Sequence, residues 1–210
     1  MQTISELKAN AREQLKGRWG SALGILFLYC VMIFAIAIVS ILLGTFIPLI
    51  GNVITILIGQ PLALGVIIFS LKFKRGEEYS VETLFAGFKQ FLPAVLLYLW
   101  NFLWICLWTL LLIIPGIIKS FSYSMCYYIL ADNPEVGVRN ALTLSKQLMS
   151  GYKWKYFVLQ LSFIGWSILA CLSLGIGYLW LAPYMQISMA NFYDGVKEAG
   201  ANKGIFIDSL

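Results

Sequence analysis

Six runs of mainly apolar residues follow one another along the chain, separated by polar stretches or by turn-forming residues. A run of about 20 apolar residues is long enough to cross, as a helix, the roughly 30 Å hydrocarbon core of a bilayer. The pattern therefore predicts an all-α fold, a polytopic membrane helix bundle that forms one integral membrane domain over residues 1–194, with a polar tail at 195–210. The six predicted membrane segments cover residues 21–43, 52–71, 91–114, 117–131, 153–174 and 178–193.

Charge-free turns join these segments in pairs, which predicts three helical hairpins. The first turn reads GTFIPLIG, the second contains Pro115-Gly116, and the third is Gly175-Ile176-Gly177. The segment at 117–131 has only 15 residues, which corresponds to about 22 Å of helix. That length falls short of a full crossing, so we expect the Pro115-Gly116 turn to lie below the outer membrane surface.

Three shorter stretches place apolar residues on one helical face and charged residues on the other. Thr3 and Glu6 have the spacing of a capping box, and Asn133 followed by Pro134 is a strong helix-start signal. These helices are predicted either to lie along the inner leaflet, with basic residues near anionic headgroups, or to pack against one another as a cap under the bundle. They cover residues 3–16, 80–90 and 134–150.

One order of elements occurs three times: an amphipathic helix, a long apolar segment, a charge-free turn and a return segment that is shorter or contains proline. This order is typical of a threefold internal repeat. Three unrelated hairpins would give the same outline, because Pro61, Pro115 and Pro183 are unevenly spaced and the side chains barely match. Both interpretations stay open.

The positions of the basic residues predict the orientation in the membrane. Of the 15 Lys and Arg residues, all but Lys119 lie before the first segment, between the second and third, between the fourth and fifth or in the first three residues of the fifth, or in the tail. By the positive-inside rule these stretches and both termini are cytoplasmic, and only short turns are external.

Composition narrows the classes of function. Hydrophobic residues make up 60% of the chain and charged residues 12%, which excludes a soluble domain. The chain has no histidine and its four cysteines lie singly in apolar runs, so we expect no cofactor and no metal site. All ten carboxylates fall in predicted cytoplasmic segments or at their boundary, which argues against an enzyme. The net charge of +5 is scattered, so anionic lipid is a better partner than nucleic acid.

Lys119 is the one cation predicted inside the membrane, in the outer leaflet, where a charge at the bilayer centre costs at least about 2.5 kcal/mol. Either it snorkels to water or lipid phosphate, or it marks an anion or lipid-headgroup site that opens outward between the third and fourth segments. The residues of that candidate site are Lys119, Tyr123, Tyr127, Gln60 and Asn101.

Several motifs carry a resemblance to a known family. They are LKANAREQLKGRWG near the N-terminus, PGIIKSFSYSMCYYILADNP, and later LSFIGW, LGIG and the dipeptide PY. Over nearly its whole length the chain resembles an uncharacterised family of integral membrane proteins common in Gram-positive bacteria, domain of unknown function 975. The resemblance implies a multi-pass protein of a bacterial cell membrane and brings no assigned activity. The family is distantly similar to the membrane domain attached to some glycerophosphodiester phosphodiesterases, which implies lipid contact.

Three functions follow as hypotheses. The first is a non-enzymatic integral membrane protein that contacts lipids, a partner membrane protein or a second copy of itself, for example in envelope stress, peptide resistance or toxin immunity. The second is a small transporter or channel for a small solute or lipid, which Gln60, Asn101 and Gln160 inside apolar runs favour. The third is a lipid-modifying enzyme, for which no residue supplies the chemistry. The stripe of Trp100, Trp104 and Trp108 is interpreted as packing or lipid contact.

Overall fold

The computed structural model describes residues 2–173 and 175–205. Within these ranges the chain forms ten α-helices and two short 3₁₀ segments, Ala86–Gln90 and Pro134–Val136, and no strand. The predicted end of the fifth segment at Leu174 and the tail residues 206–210 lie outside the described residues. The α-helices are α1 (Ile4–Leu15), α2 (Trp19–Gly44), α3 (Pro48–Arg75), α4 (Glu82–Phe85), α5 (Phe91–Leu111), α6 (Ile113–Ser122), α7 (Cys126–Asp132), α8 (Gly137–Leu148), α9 (Lys153–Leu172) and α10 (Tyr178–Ala201).

Four helical stretches are long and apolar enough to cross a membrane, counting α4, the 3₁₀ segment and α5 as one stretch. Since the described residues form helices and no strand, the all-α prediction is confirmed. The four apolar stretches indicate a membrane protein. Thr3 forms the predicted capping box, since its hydroxyl accepts from the Glu6 amide and the Glu6 carboxylate accepts from the Thr3 amide. The four candidate spans cover Trp19–Gly44, Leu49–Arg75, Glu82–Leu111 and Lys153–Leu172.

The second hairpin differs from the prediction in two places. The turn lies at Leu112, whose backbone is extended, and Pro115-Gly116 is already inside α6. The segment predicted at 117–131 is not one helix, because α6 ends at Ser122 and α7 begins at Cys126. Ser145 of α8 lies at the break, where its hydroxyl donates to the Ser122 carbonyl (2.8 Å) and accepts from the Met125 amide (3.2 Å). That hydroxyl bonds backbone groups that a continuous helix would pair internally.

The last helix is longer than predicted. The sixth segment was expected to end at residue 193 and a loose tail to begin at 195, but α10 continues to Ala201. Val196 and Gly200 are buried, and Asp194 forms ion pairs with Lys74 and Arg75 at the end of α3. Burial and charge pairing together hold this polar stretch in the helix.

The return helices form the centre of the bundle. Helix α3 packs against both α7 and α10, and Tyr128 of α7 stacks on Tyr193 of α10 with ring centroids 5.4 Å apart. The outer helices α2, α5 and α9 lead into these return helices through the three turns.

Each amphipathic helix packs on a hairpin rather than on the other amphipathic helices. Helix α4 and the following 3₁₀ segment pack on α3, α8 packs on α5, α6 and α7, and α1 packs on α10. The predicted cap of mutually packed helices is thus not what the structure shows. Helix α1, at the start of the chain, packs on α10, the last helix, so the first and last of the three predicted units are in contact. The threefold internal repeat stays a prediction.

Candidate functional site

The five residues of the predicted site do not come together. Lys119 and Tyr123 face a groove between α5, α6 and α8. Tyr127 instead donates a hydrogen bond to Gln60 Oε1 (2.8 Å) between α7 and α3, and Asn101 contacts the Cys126 sulfur on the inner side of α5. The prediction assumed one continuous helix from residue 117 to 131. The break after α6 separates Tyr127 from the side of the bundle that Lys119 faces.

The groove that contains Lys119 has a volume of about 390 Å³. Helix α5 supplies three indoles at a spacing of four residues, α6 ends beside them, and α8 forms the opposite wall. We call it the basic–aromatic groove. Its lining residues are Trp100, Trp104, Trp108, Lys119, Tyr123, Arg139, Leu142, Thr143 and Lys146.

Two of the indoles make cation–π contacts with basic side chains. The Lys119 ammonium lies 4.5 Å from the ring centroid of Trp108, and the Arg139 guanidinium carbon lies 5.8 Å from that of Trp100. Both distances are within the range of cation–π attraction. The sequence interpretation of the indoles as packing or lipid contact did not include this role, because Arg139 comes from a helix more than 30 residues away in the chain.

The charges in the groove are all positive. Lys119, Arg139 and Lys146 line it, and the lining contains no carboxylate. Lys119 also lies close enough to Lys146 and Lys153 for the three charges to repel one another. Because cation–π contacts do not neutralise a charge, the groove keeps a positive potential that attracts anions. The guanidinium of Arg139 is suited to phosphate, since its fork of donors matches two phosphate oxygens.

The residues around Lys119 also test its predicted position in the outer leaflet of the membrane. The sequence placed Lys119 in the outer leaflet but placed Lys146 and Lys153 in the cytoplasm. The structure brings these three residues together, so the two placements are incompatible. The three cations therefore lie on the same side of the bundle.

A second charged cluster, which the sequence analysis missed, joins the ends of the return helices. The Asp132 carboxylate accepts from Arg75 Nη1 (2.6 Å), Lys197 Nζ (2.6 Å) and the Tyr193 hydroxyl (3.1 Å). Burial alone would raise the pKa of Asp132, but hydrogen bonds from Arg75 and Lys197 outweigh it and hold that pKa below its usual value. Arg75 also bonds Asp194 (3.1 Å). Nothing in the sequence indicated that Arg75, Asp132 and Asp194 would meet, because they lie far apart along the chain.

An uncharged cavity of about 280 Å³ lies between α2, α3, α7, α9 and α10. Gln160 and Gln186 reach it from α9 and α10, and the phenols of Tyr29 and Tyr128 complete its polar lining. The Gln160 amide donates one hydrogen bond to the Tyr156 hydroxyl (2.9 Å). The cavity therefore offers hydrogen-bonding groups without charge, which suits a small neutral solute or water.

The fold has four helical stretches long and apolar enough to cross a membrane, and the basic–aromatic groove carries three cations. The model of a family described as protein of unknown function (DUF975) matches residues 1–120 and 109–200, and the chain belongs to that family. The resemblance seen in the sequence is thus confirmed. No curated protein matches the chain, and no solved structure matches it. The similarity to the membrane domain of glycerophosphodiester phosphodiesterases stays a prediction.

Proposed function

We propose that this protein is a non-enzymatic integral membrane protein of the bacterial cell membrane that binds the phosphate of an anionic lipid headgroup in the basic–aromatic groove. The observation that carries the proposal is the set of three cations, Lys119, Arg139 and Lys146, in a groove whose lining contains no carboxylate. A lipid phosphate would supply the missing negative charge.

The rest of the groove fits the apolar part of the same ligand. Trp100 and Trp108 lie eight residues apart on α5, with Trp104 between them, which corresponds to a rise of about 12 Å. Indoles are favoured at the depth of lipid headgroups, where one end of the ring is wet and the rest is apolar. A phospholipid can therefore place its phosphate between the cations and its glycerol and first acyl carbons along the indoles.

The orientation that supports this role has three hairpins, six membrane segments and both termini in the cytoplasm. It follows from the basic residues, which cluster at the ends of the bundle away from the hairpin turns. In this orientation the groove faces the inner leaflet, where anionic lipids attract each nearby Lys or Arg by about 1 kcal/mol.

Lipid retention tests the proposal. The protein is purified from vesicles of phosphatidylglycerol and phosphatidylcholine, and the bound phosphatidylglycerol is measured by native mass spectrometry. Loss of two cations in the double variant Lys119→Met, Arg139→Gln should remove about 2 kcal/mol, which lowers the affinity for phosphatidylglycerol by more than tenfold. Lys89→Met is the matched control, because Lys89 is an exposed cation next to the first hairpin and outside the groove. Equal retention by the double variant and the control would refute the proposal.

A small transporter or channel is the second candidate, and the uncharged cavity with Gln160 and Gln186 is the observation that favours it. In proteoliposomes this function predicts a flux of a small neutral solute such as glycerol. The flux should be lost in Gln160→Leu and kept in the double variant of the basic–aromatic groove. Proteoliposomes no more permeable than empty vesicles would exclude this candidate.

A further inference from the structure

Highly exposed apolar side chains lie at the hairpin turns. Of the large apolar side chains in the described residues, the four most exposed are Leu110 (90%), Phe46 (85%), Leu172 (77%) and Leu49 (76%), and all four lie within a few residues of a turn. A turn that emerged into water would place these side chains in the least favourable solvent for them. Their exposure therefore indicates that the turns contact hydrocarbon.

The backbone at the second and third turns is also suited to hydrocarbon, where an unpaired N–H or C=O costs several kcal/mol. In the second turn the Leu112 amide bonds the Trp108 carbonyl (3.0 Å) and the Gly116 amide bonds the Leu112 carbonyl (3.3 Å). In the third turn the Ser173 hydroxyl donates to the Ala170 carbonyl (2.7 Å) and accepts from the Gly177 amide (2.9 Å). These local bonds pair several of the backbone groups that water would otherwise bond.

The reach of these two hairpins is short. Helix α8 crosses the second hairpin at Ser122, where Ser145 bonds its carbonyl, and nine residues separate Ser122 from the start of α6 at Ile113. Nine residues of helix span about 14 Å. In the third hairpin Lys8 of α1 bonds the carbonyl and hydroxyl of Ser162, both at 3.2 Å, and α9 ends ten residues later, after about 15 Å.

The first hairpin reaches farther. Helix α4 crosses α3 at Gly65, where an added Cβ would overlap the Leu84 backbone. From Gly65 to the start of α3 at Pro48 there are seventeen residues, or about 26 Å. Counted from these crossings, only this hairpin approaches the roughly 30 Å of a hydrocarbon core, although the stretch Glu82–Leu111 and the 20-residue α9 are each long enough as a whole to span. The first nine residues of α9, 153–161, come before Ser162, the point at which α1 crosses this helix.

We infer that the second and third hairpins are re-entrant: they enter the bilayer from the cytoplasmic side and end near its midplane, with lipid acyl chains covering their turns. This rests on the proposed cytoplasmic position of the amphipathic helices, because the reach is counted from the points where those helices cross the hairpins. It replaces the external turns predicted at Pro115-Gly116 and at Gly175-Ile176-Gly177. The external face of the protein then consists of the first hairpin alone.

Spin labels at single cysteines measure these depths. In a background without the four native cysteines, labels are attached to Leu112→Cys and Ile176→Cys in the turns. Labels at Phe85→Cys in α4 and Gln147→Cys in α8 report the depth of the amphipathic helices, because both positions are exposed. The protein is reconstituted in vesicles of phosphatidylethanolamine and phosphatidylglycerol, and the collision rates of each label with oxygen and with a polar nickel chelate give its depth.

Both turn labels should lie about 15 Å deeper than the labels at Phe85 and Gln147, near the midplane of a 30 Å core. Turn labels at the depth of the opposite headgroups, or in contact with nickel chelate confined to the outside, would overturn the inference and leave the phosphate site of the basic–aromatic groove untouched. Labels at Phe85 and Gln147 buried in hydrocarbon, or free in water with no lipid contact, would overturn it together with the proposed orientation.

Discussion

Replacement of Asp132 by asparagine should be among the most destabilising single changes outside the apolar core. The Asp132 carboxylate is 6% exposed and bonds Arg75, Lys197 and Tyr193. Removing one partner from a buried ion pair costs about 3 to 5 kcal/mol. Because the side chains of Arg75 and Lys197 are 33% and 30% exposed, water can partly rehydrate them. We therefore expect the lower end, a loss of about 3 kcal/mol in the free energy of unfolding.

Asp194→Asn is the matched control at the same cluster. Its carboxylate bonds Lys74 and Arg75 but is 22% exposed, so its loss should cost about 1 kcal/mol. Unfolding in mixed micelles with increasing dodecyl sulfate, followed by tryptophan fluorescence and circular dichroism, gives both values. A double-mutant cycle with Arg75→Met separates the Asp132–Arg75 coupling from other effects. If Asp132→Asn costs no more than Asp194→Asn, the reasoning from burial is refuted.

A fall in pH should remove the stabilisation that the Asp132 carboxylate gives to the folded protein. The pKa of Asp132 is lower in the folded protein than its ordinary value, because hydrogen bonds from Arg75 and Lys197 outweigh the burial that would raise it. A carboxyl group of this kind stabilises the folded state above its unfolded pKa of about 3.9, and the stabilisation is lost as the pH falls through the folded pKa. The difference in unfolding free energy between wild type and Asp132→Asn should therefore be constant above about pH 5 and shrink below pH 4. A difference that stays unchanged under acid would contradict this assignment.

Two further changes test local packing and capping. Gly65→Ala would drive a Cβ into the Leu84 backbone and should cost about 2 kcal/mol of stability. Gly59→Ala, where no atom lies within 4 Å of the new Cβ, should instead stabilise α3 by about 0.5 to 1 kcal/mol; the opposite order in a thermal melt would show that α4 does not cross at Gly65. Thr3→Ala removes the hydroxyl that caps α1 and should cost about 1 kcal/mol, whereas Thr3→Ser should be neutral in the same melt.

The sequence determined the features that depend on neighbouring residues. The length of the apolar runs predicts membrane-length helices, because a helix needs only its own residues to satisfy its backbone in lipid. The spacing of Thr3 and Glu6 predicts the cap of α1, since both partners lie within one turn. The class of protein followed from the same local information and from the scarcity of charge.

The tertiary structure decided where distant residues meet. The Ser145 hydroxyl that bonds the Ser122 carbonyl lies 23 residues away, at the point where the predicted fourth segment divides into two short helices. Asp194, after which the sequence predicts a loose tail, is held in α10 by Arg75, 119 residues earlier. The basic–aromatic groove likewise needs indoles from α5, Lys119 from α6 and Arg139 from α8. No periodicity encodes such pairs, because a hydroxyl or a charge can be satisfied by many partners, and the packing of the hairpins selects one.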